Sequence, residues 1–440
     1  MSFRFAPSPT RLLNVADGRT ALLNWLAARS HAGAFILRLD DTNAEQATPE
    51  FAGAISEDLD WMGLDWDRTV RQSDRLDDYA DAIARLREGG HVYPCYETPQ
   101  ELAAQRAVQR AAGQPPLYDR AGLALSDAQR SALESEGRAP YWRLRLRDTA
   151  FDWRDVVHGP IHVAPGTMSD PVIVRADRRP LALLASVVDD IEFGVHQIVR
   201  GEDYLSRTSA EIQLFEAIGA RPPAYAHHSR LAVPAGSAPD ALTLRRLREA
   251  GVEPMALNSY LAKVCSSDPV EIRQNLKELR RDFDLGKLGR ATATYEAAAV
   301  ETLGRKFVHG MPFEVAAPRL AALGLDDAGK AFWEAIRSAI DALPEALAWW
   351  HIVYEPVEPV IEEPGLAAAA ADLLPDGGWS RGTWLEWTVR VANATGRSGR
   401  DLYRPLRLAL TGRGNGPEMQ DLLPLIGPDR AAARLRGHTA

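Results

Sequence analysis

Cysteine is nearly absent: Cys95 and Cys265 are the only two in 440 residues and lie far apart, which leaves no material for a disulfide framework or a cysteine-based zinc site. Long apolar runs are missing as well. The longest nearly apolar stretch, Leu181 to Val188, is far too short to span a bilayer, and the opening Met1-Ser2-Phe3-Arg4-Phe5-Ala6-Pro7 lacks the basic-then-apolar layout of a signal peptide. The expectation is a cytoplasmic protein without a membrane partner. There is no short-period repeat and no low-complexity block. Nor is there an excess of positive charge: 51 Lys and Arg stand against 60 Asp and Glu, a net charge of −9, which argues against a protein that coats nucleic acid indiscriminately. What is present, 46% apolar and 25% charged residues, is ordinary for a soluble globular chain, and this length suggests about three domains.

Charge is unevenly spread. Residues 395–440 carry eight arginines against four acids, which reads either as a solvated helical surface or as a face for an anionic partner.

The first forty residues read as a β-α-β unit, with an extended Phe3 to Ala6, a helix from about Gly18 to His31 and a β-like run Ala34 to Leu39. Pro7 and Pro9 stop the first strand, so the turn at Ser8 to Asp17 lies where doubly wound folds bind ligands. Thr48-Pro49-Glu50 predicts a helix that runs to Met62 and ends at Gly63, and a second helix is expected over Leu76 to Glu88. From Tyr93 to Gly166 the character changes, with helical Pro99 to Ala112 and Ser126 to Glu136 around a β-like Tyr141 to Leu146, as in an inserted domain. Parallel-strand character returns at Ala182 to Val188 and Gln197 to Arg200. From Ala256 onward the chain reads as helix, including Glu271 to Arg281 and Ala331 to Ala342, except for a proline-rich extended connector at Glu355 to Pro364. The aromatics Trp349 and Trp350, next to His351, read as helical core.

Arg4-Phe5-Ala6-Pro7-Ser8-Pro9-Thr10 and Arg38-Leu39-Asp40-Asp41-Thr42 closely resemble the opening of the glutamyl-tRNA synthetases, class I aminoacyl-tRNA synthetases. The likeness continues through Tyr93-Pro94-Cys95-Tyr96-Glu97-Thr98, Ser169-Asp170-Pro171, Val199-Arg200-Gly201-Glu202-Asp203, His227-His228-Ser229 and Pro405-Leu406-Arg407-Leu408, so it covers essentially the whole chain. The resemblance implies an α/β Rossmann catalytic domain in two halves (1–90 and 176–230) around an inserted domain that grips the tRNA acceptor end (91–175). A stem-contact region (231–300) and an all-α anticodon-binding domain (301–440) would follow. It implies ATP and magnesium, while the two cysteines leave no zinc to expect, and the partners would be tRNA and glutamate or a related amino acid, the chain working as a monomer. By position, Arg4, Ala6, Ser8, Asp40, Ser186 and Arg200 fall where the family surrounds the amino acid, and Arg200 where an arginine holds its side-chain carboxylate. Thr10, Asp203, His227 and His228 fall near the nucleotide, and Asp190, Arg400, Arg404 and Arg413 where tRNA is met. A guanidinium suits a carboxylate because it binds both oxygens and stays charged when desolvated. The bland alternatives are an ion pair of Arg200 with Glu202 or Asp190, a capping or salt-bridge role for Asp40, and simple exposure of the two histidines in a loop.

Three stretches depart from the family pattern. Where the family's turn carries glycine, histidine and a second glycine, this chain has Arg11, Asn14 and Ala16, and Asp17 replaces a neutral residue. Asn14 donates only a neutral hydrogen bond, Ala16 adds a methyl group, and Asp17 brings negative charge to a helix N-terminus that would receive phosphates. The second family signature, a lysine-bearing loop, corresponds to Ala232 to Ala241, with Ser237 near its centre; it contains no lysine or arginine. In the amino-acid pocket Ala182 stands for a tyrosine, which removes hydroxyls around Ser186 and leaves Arg200 with fewer partners. Losing two preorganised donors costs about 10⁴- to 10⁶-fold in rate. The expectation is therefore a tRNA-binding paralogue with impaired adenylation; the alternatives are a glutamate–tRNA ligase with atypical activation residues and a transferase that uses glutamyl-tRNA.

Overall fold

The chain begins in a short strand, Ser2–Phe5 (β1), and the prolines at 7 and 9 turn it away from the sheet. Helix Val15–Ser30 (α1) returns it to Ala34–Leu39 (β2), parallel to β1 with Phe3 opposite Phe35. Helix Pro49–Met62 (α2) is bounded by local chemistry. The Thr48 hydroxyl accepts the Phe51 N–H at 3.2 Å, Pro49 sits in the first turn, and Gly63 closes the helix at φ 75°, where a Cβ would be strained. Strand Arg68–Arg71 (β3) adds in parallel to β2, and helix Leu76–Glu88 (α3) follows.

The next segment is Val92–Cys95 (β4), helices Pro99–Ala111 (α4), Ala121–Ala124 (α5) and Asp127–Ser135 (α6), then Tyr141–Leu144 (β5), Phe151–Asp155 (β6), Gly159–Val163 (β7) and Val172–Val174 (β8). β4, β5 and β8 form an antiparallel sheet. Helix Ala182–Glu192 (α7), strand Gln197–Gly201 (β9), helix Leu205–Ile218 (α8) and strand Ala224–His228 (β10) complete the central layer, with β10 parallel to β9 and to β6. Ser2 bridges Val195, and its carbonyl accepts the His196 N–H at 3.0 Å, so β9 lies beside β1. The parallel order is thus β3-β2-β1-β9-β10, the doubly wound arrangement whose direction reverses between β1 and β9. Leu244–Glu249 (α9) and Pro254–Lys263 (α10) come next.

This computed structural model describes residues 1–43, 45–238 and 240–440, in two compact units, Met1–Ala297 and Ala298–Ala440. The second unit is helical throughout, with Trp333 and Trp387 fully buried. In this unit the buried Arg434 guanidinium is held by the main-chain oxygens of Ala440 (2.6 Å), Ile352 (2.8 Å), Leu410 (2.8 Å) and Glu355 (3.1 Å). Trp349 is buried core, whereas Trp350 is half-buried and packs on Phe332 and Tyr354. Among the described residues no helix is long and apolar enough to cross a membrane.

Three expected elements differ. Ala182 to Val188 is helix, not strand: Leu183, Leu184 and Val187 pack into one core cluster with Leu214 and Phe215, and a short apolar run carries no period that separates a buried strand from a buried helix. The helix expected over Glu271 to Arg281 covers only Leu276–Arg281, because Asn275 caps it through the Glu278 N–H at 3.0 Å. The one expected over Ala331 to Ala342 is Lys330–Ile336 followed by a 3₁₀ turn, Arg337–Ala339.

Candidate active site

A cavity of about 370 Å³ opens at the carboxyl ends of β1 and β9, the switch point of the sheet. Of the residues singled out in the sequence, Arg4, Ala6, Ser8, Thr10, Asp17, Asp40, Ser186 and Arg200 line it. Arg11, another of the departures from the family turn, lines it too, as do Thr20, Arg38 and Tyr204, which were not singled out.

One end is built from interlocked ions. Arg4 donates to both oxygens of Asp190, at 3.0 and 3.1 Å, and Arg38 reaches the same carboxylate at 3.0 Å. Arg38 also holds Asp40 through two bonds, at 2.7 and 3.2 Å, and the Ser186 hydroxyl at 2.9 Å. Ser186 and Asp190 are one helical turn apart on α7, which is why both meet one guanidinium. Burial opposes the charge on Arg38, yet Asp40, Asp190 and Asp189 raise its pKa above the ordinary arginine value. For Asp40, burial outweighs Arg38 and Arg4 and raises its pKa above the usual carboxylate range. Asp40 is therefore a salt-bridge partner and a cavity residue together. Asp190, expected to meet tRNA, is corrected here: it is 3% exposed and spent on two arginines, so it offers no face to a polynucleotide.

Arg200 is held from three sides. Its Nη1 and Nη2 donate to Glu211 at 2.9 and 2.7 Å, Nη2 also to Thr208 at 2.7 Å, and Nε to His227 at 3.2 Å. Neither Glu202 nor Asp190 is its ion-pair partner, and where fewer partners were expected it has Glu211, Thr208 and His227. His227 and His228 are corrected likewise: they end β10 rather than sit in a loop, are 0% and 4% exposed, and do not line the cavity. The His227 Nδ1 lies 2.7 Å from Asp155, which leaves Nε2 to accept from Arg200. Burial lowers its pKa, against the pull of Asp155. His228 is pushed down to about 3 by burial and the nearby Arg19, so it is neutral. Asp203 lies in an exposed turn outside the lining.

The other end is arranged around the start of α1. Asn14 is its N-cap: the side-chain oxygen accepts the N–H groups of Ala16 and Asp17 at 2.9 and 3.1 Å, while Asp17 accepts the Asn14 N–H at 2.9 Å. This is a capping box, and the spacing Asn14-Val15-Ala16-Asp17 is the sequence signal that would have revealed it. Asp17 does not stand as a bare negative charge, because Arg11 grips both its oxygens at 2.6 and 3.0 Å. Two of the departures from the family pattern are thus one compensated pair. Ala16 and Asn14 do not line the cavity. Arg19, fully buried, donates to the carbonyls of Ser229, Val264 and Leu261 at 2.6, 3.0 and 3.3 Å and pins α1 to α10.

The end of the lysine-free stretch is hydrogen-bonded to this turn, Val15 N–H to Leu242 O at 3.0 Å and Leu244 N–H to Leu13 O at 2.9 Å. Its described residues carry no cation; Pro239 lies outside the described residues, and Ser237 is outside the cavity lining. Arg246 spends its guanidinium on Asp240 at 3.1 Å, and Arg248 turns to Glu57 at 3.0 Å. In the helical unit Arg400, Arg404 and Arg413 are exposed; Arg404 pairs with Glu362 at 3.0 Å, and Arg413 lies over the Trp349 ring at 5.1 Å.

Residues 1–268 match the family described as tRNA synthetases class I (E and Q), catalytic domain, and residues 363–439 match the anticodon binding domain. The chain is 50% identical to glutamate–tRNA ligase 1 of Parvibaculum lavamentivorans, covering 99% of this chain and 98% of that protein. It is 48% identical to glutamate–tRNA ligase 2 of Methylorubrum populi, with coverage of 99% and 98%. A glutamate tRNA ligase from Elizabethkingia meningosepticum, solved in complex with its amino acid, superposes with a TM-score of 0.84 at 24% identity, over 99% of this chain and 98% of that one. With the switch-point cavity, the parallel sheet order and the helical C-terminal half on one side and these matches on the other, the chain belongs to the glutamyl-tRNA synthetase family of class I aminoacyl-tRNA synthetases.

Proposed function

We propose that this chain attaches an amino acid to tRNA as a ligase of the glutamate–tRNA type whose first step, activation of the amino acid with ATP, runs slowly. The observation that carries the ligase reading is the ion frame Arg4–Asp190–Arg38–Asp40 around a switch-point cavity. Asp40 and Ser8 lie there to meet an ammonium, and Arg4 and Arg38 hold the acids in place with no freedom to rearrange. Residues 91–175 are read as the acceptor-end grip, 231–300 as the stem contact and 301–440 as the anticodon-binding part, with Arg400, Arg404 and Arg413 toward the anticodon. The protein is read as a cytoplasmic monomer.

ATP, accompanied by magnesium, is the family's co-substrate, and the residues at the α1 end fit a triphosphate poorly. The first N–H groups of α1 are taken by Asn14, Asp17 stands at the helix start, and the facing loop brings no cation from its described residues. At a typical turnover of about 10 per second, a loss of about 10⁴-fold or more would leave roughly one event per quarter hour. The same observation favours a second reading, a tRNA-binding paralogue without adenylation.

Pyrophosphate exchange with ATP, magnesium and amino acid separates them. The expected result is exchange above the protein-free background and at least about 10³-fold below an ordinary synthetase. Exchange at an ordinary rate would remove the slow step, and no exchange together with a tRNA gel shift would install the binding paralogue.

A further inference from the structure

Between β8 and α7 the chain turns through Arg175-Ala176-Asp177-Arg178-Arg179, three cations against one acid, all exposed. The turn is tight. Val174 bridges Pro180, the Arg175 carbonyl accepts the Arg178 N–H at 2.9 Å, and the Arg175 N–H donates to the Arg179 carbonyl at 2.9 Å. Arg178 sits in the left-handed region at φ 68°, the place in such a hairpin that glycine ordinarily fills, and a side chain there strains the backbone. Within the turn Arg179 pairs with Asp177 at 3.6 Å, whereas among the described residues the guanidiniums of Arg175 and Arg178 have no acid beside them. No partner within the fold offsets the strain at Arg178, and strain kept at an exposed, unpaired cation points outward to a ligand.

The turn stands on the side of the sheet where the cavity opens. Helix α7 descends from it: Ser186 lines the cavity, Asp190 meets Arg4 one turn further on, and Val195, past the helix end, bridges Ser2 at the start of β1. From Ala182, the first residue of α7, to Ser186 is four residues, about 6 Å along the axis. No side chain caps the start of α7, so its first N–H groups add partial positive charge to the same place. We propose that this turn is a binding site for the sugar–phosphate backbone of RNA, with Arg175 and Arg178 each meeting a phosphate of the unpaired strand whose end enters the cavity. This rests on the reading of the chain as a protein that receives the end of a tRNA there. A guanidinium offers two phosphate oxygens a fixed fork and stays charged, and one without a partner in the fold gives up nothing when the phosphate arrives. Glycine at 178 would serve the turn better and the RNA worse, so the two demands on that position can be separated.

The test is fluorescence anisotropy of the full chain with a labelled RNA hairpin that carries a tRNA acceptor stem and its unpaired 3′ end, over a series of salt concentrations, beside thermal unfolding. Arg178→Gly is expected to unfold at or above the wild-type temperature, because glycine takes the left-handed conformation without strain, and yet to bind the hairpin about 3- to 10-fold more weakly. Arg175→Gln, which leaves the left-handed position alone, is expected to weaken binding by a similar factor. Each lost cation should flatten the slope of log affinity against log salt by about 0.7 to 0.9, whereas Arg178→Lys, which keeps the charge, should keep the slope. Wild-type affinity and slope in both Arg178→Gly and Arg175→Gln overturn the proposal. Binding of whole tRNA but not of the hairpin by the wild type also overturns it, while the tRNA reading stands. Failure to bind either RNA overturns that reading and this inference with it.

Discussion

The two ends of the cavity solve opposite electrostatic problems. At the end walled by α7 and α8 three arginines, Arg4, Arg38 and Arg200, each face a buried acid on another element, and every one of them is matched. At the α1 end the positive charge that a polyanion needs is missing; Asn14, Asp17 and Arg11 satisfy one another and the helix start. The first lysine of the whole chain is Lys263. Matched buried charge holds a pocket in shape, whereas a self-satisfied helix N-terminus is stable and has little left to give a ligand.

The comparison is tested most severely by rebuilding the poorer end. Asn14→His, Ala16→Gly, Asp17→Asn and Ser237→Lys together are expected to raise pyrophosphate exchange by about 10³-fold or more; an unchanged rate would place the slow step elsewhere. The matched end is broken by Arg38→Met, which leaves Asp40 and part of Asp190 uncompensated. Chemical denaturation is expected to show a loss of about 3 kcal/mol, and a loss below about 1 kcal/mol would mean that the ion frame contributes little.

A third test lies behind the α1 end. Asp58 of α2 is fully buried, neither of its carboxylate oxygens has a hydrogen-bond partner, and Arg248 of α9 stands 3.7 Å away. Burial, against Arg248 and Arg245, pushes its pKa from 3.8 to about 6. A raised folded-state pKa means that the folded state binds the proton more tightly, so this stabilising contribution is complete below about pH 4 and is lost as the pH rises through about 6. Asp58→Asn is therefore expected to stabilise the protein by about 2 kcal/mol at pH 7 and progressively less toward pH 4, measured as denaturation midpoints across that range. A benefit independent of pH would contradict the assignment. The smallest effect is expected for Asn14→Ala, which removes the cap of α1 and costs about 1 kcal/mol in thermal or chemical unfolding.

Much of the frame was legible along the chain. Pro7 and Pro9 end β1, Thr48-Pro49 and Gly63 bound α2, and seven of the residues carried over from the resemblance line the cavity. The misreadings share a cause. The stretch from Ala182 to Val188 is apolar enough to suit either a buried strand or a buried helix, and two adjacent histidines give no sign of burial until β10 is sandwiched between β6 and β9. Asp190 looked available to tRNA only because Arg4 and Arg38, both more than 150 residues away along the chain, are invisible to a local reading.

Backbone preferences and short-range caps act over a few residues, so strand stops, helix ends and the Asn14–Asp17 box were decided by neighbours in the chain. The pairing of charges was not. Glu211 belongs to Arg200, and Asp155 to His227, because a strand, a helix and the segment between β5 and β8 converge, and burial makes each unmatched charge too costly to leave alone.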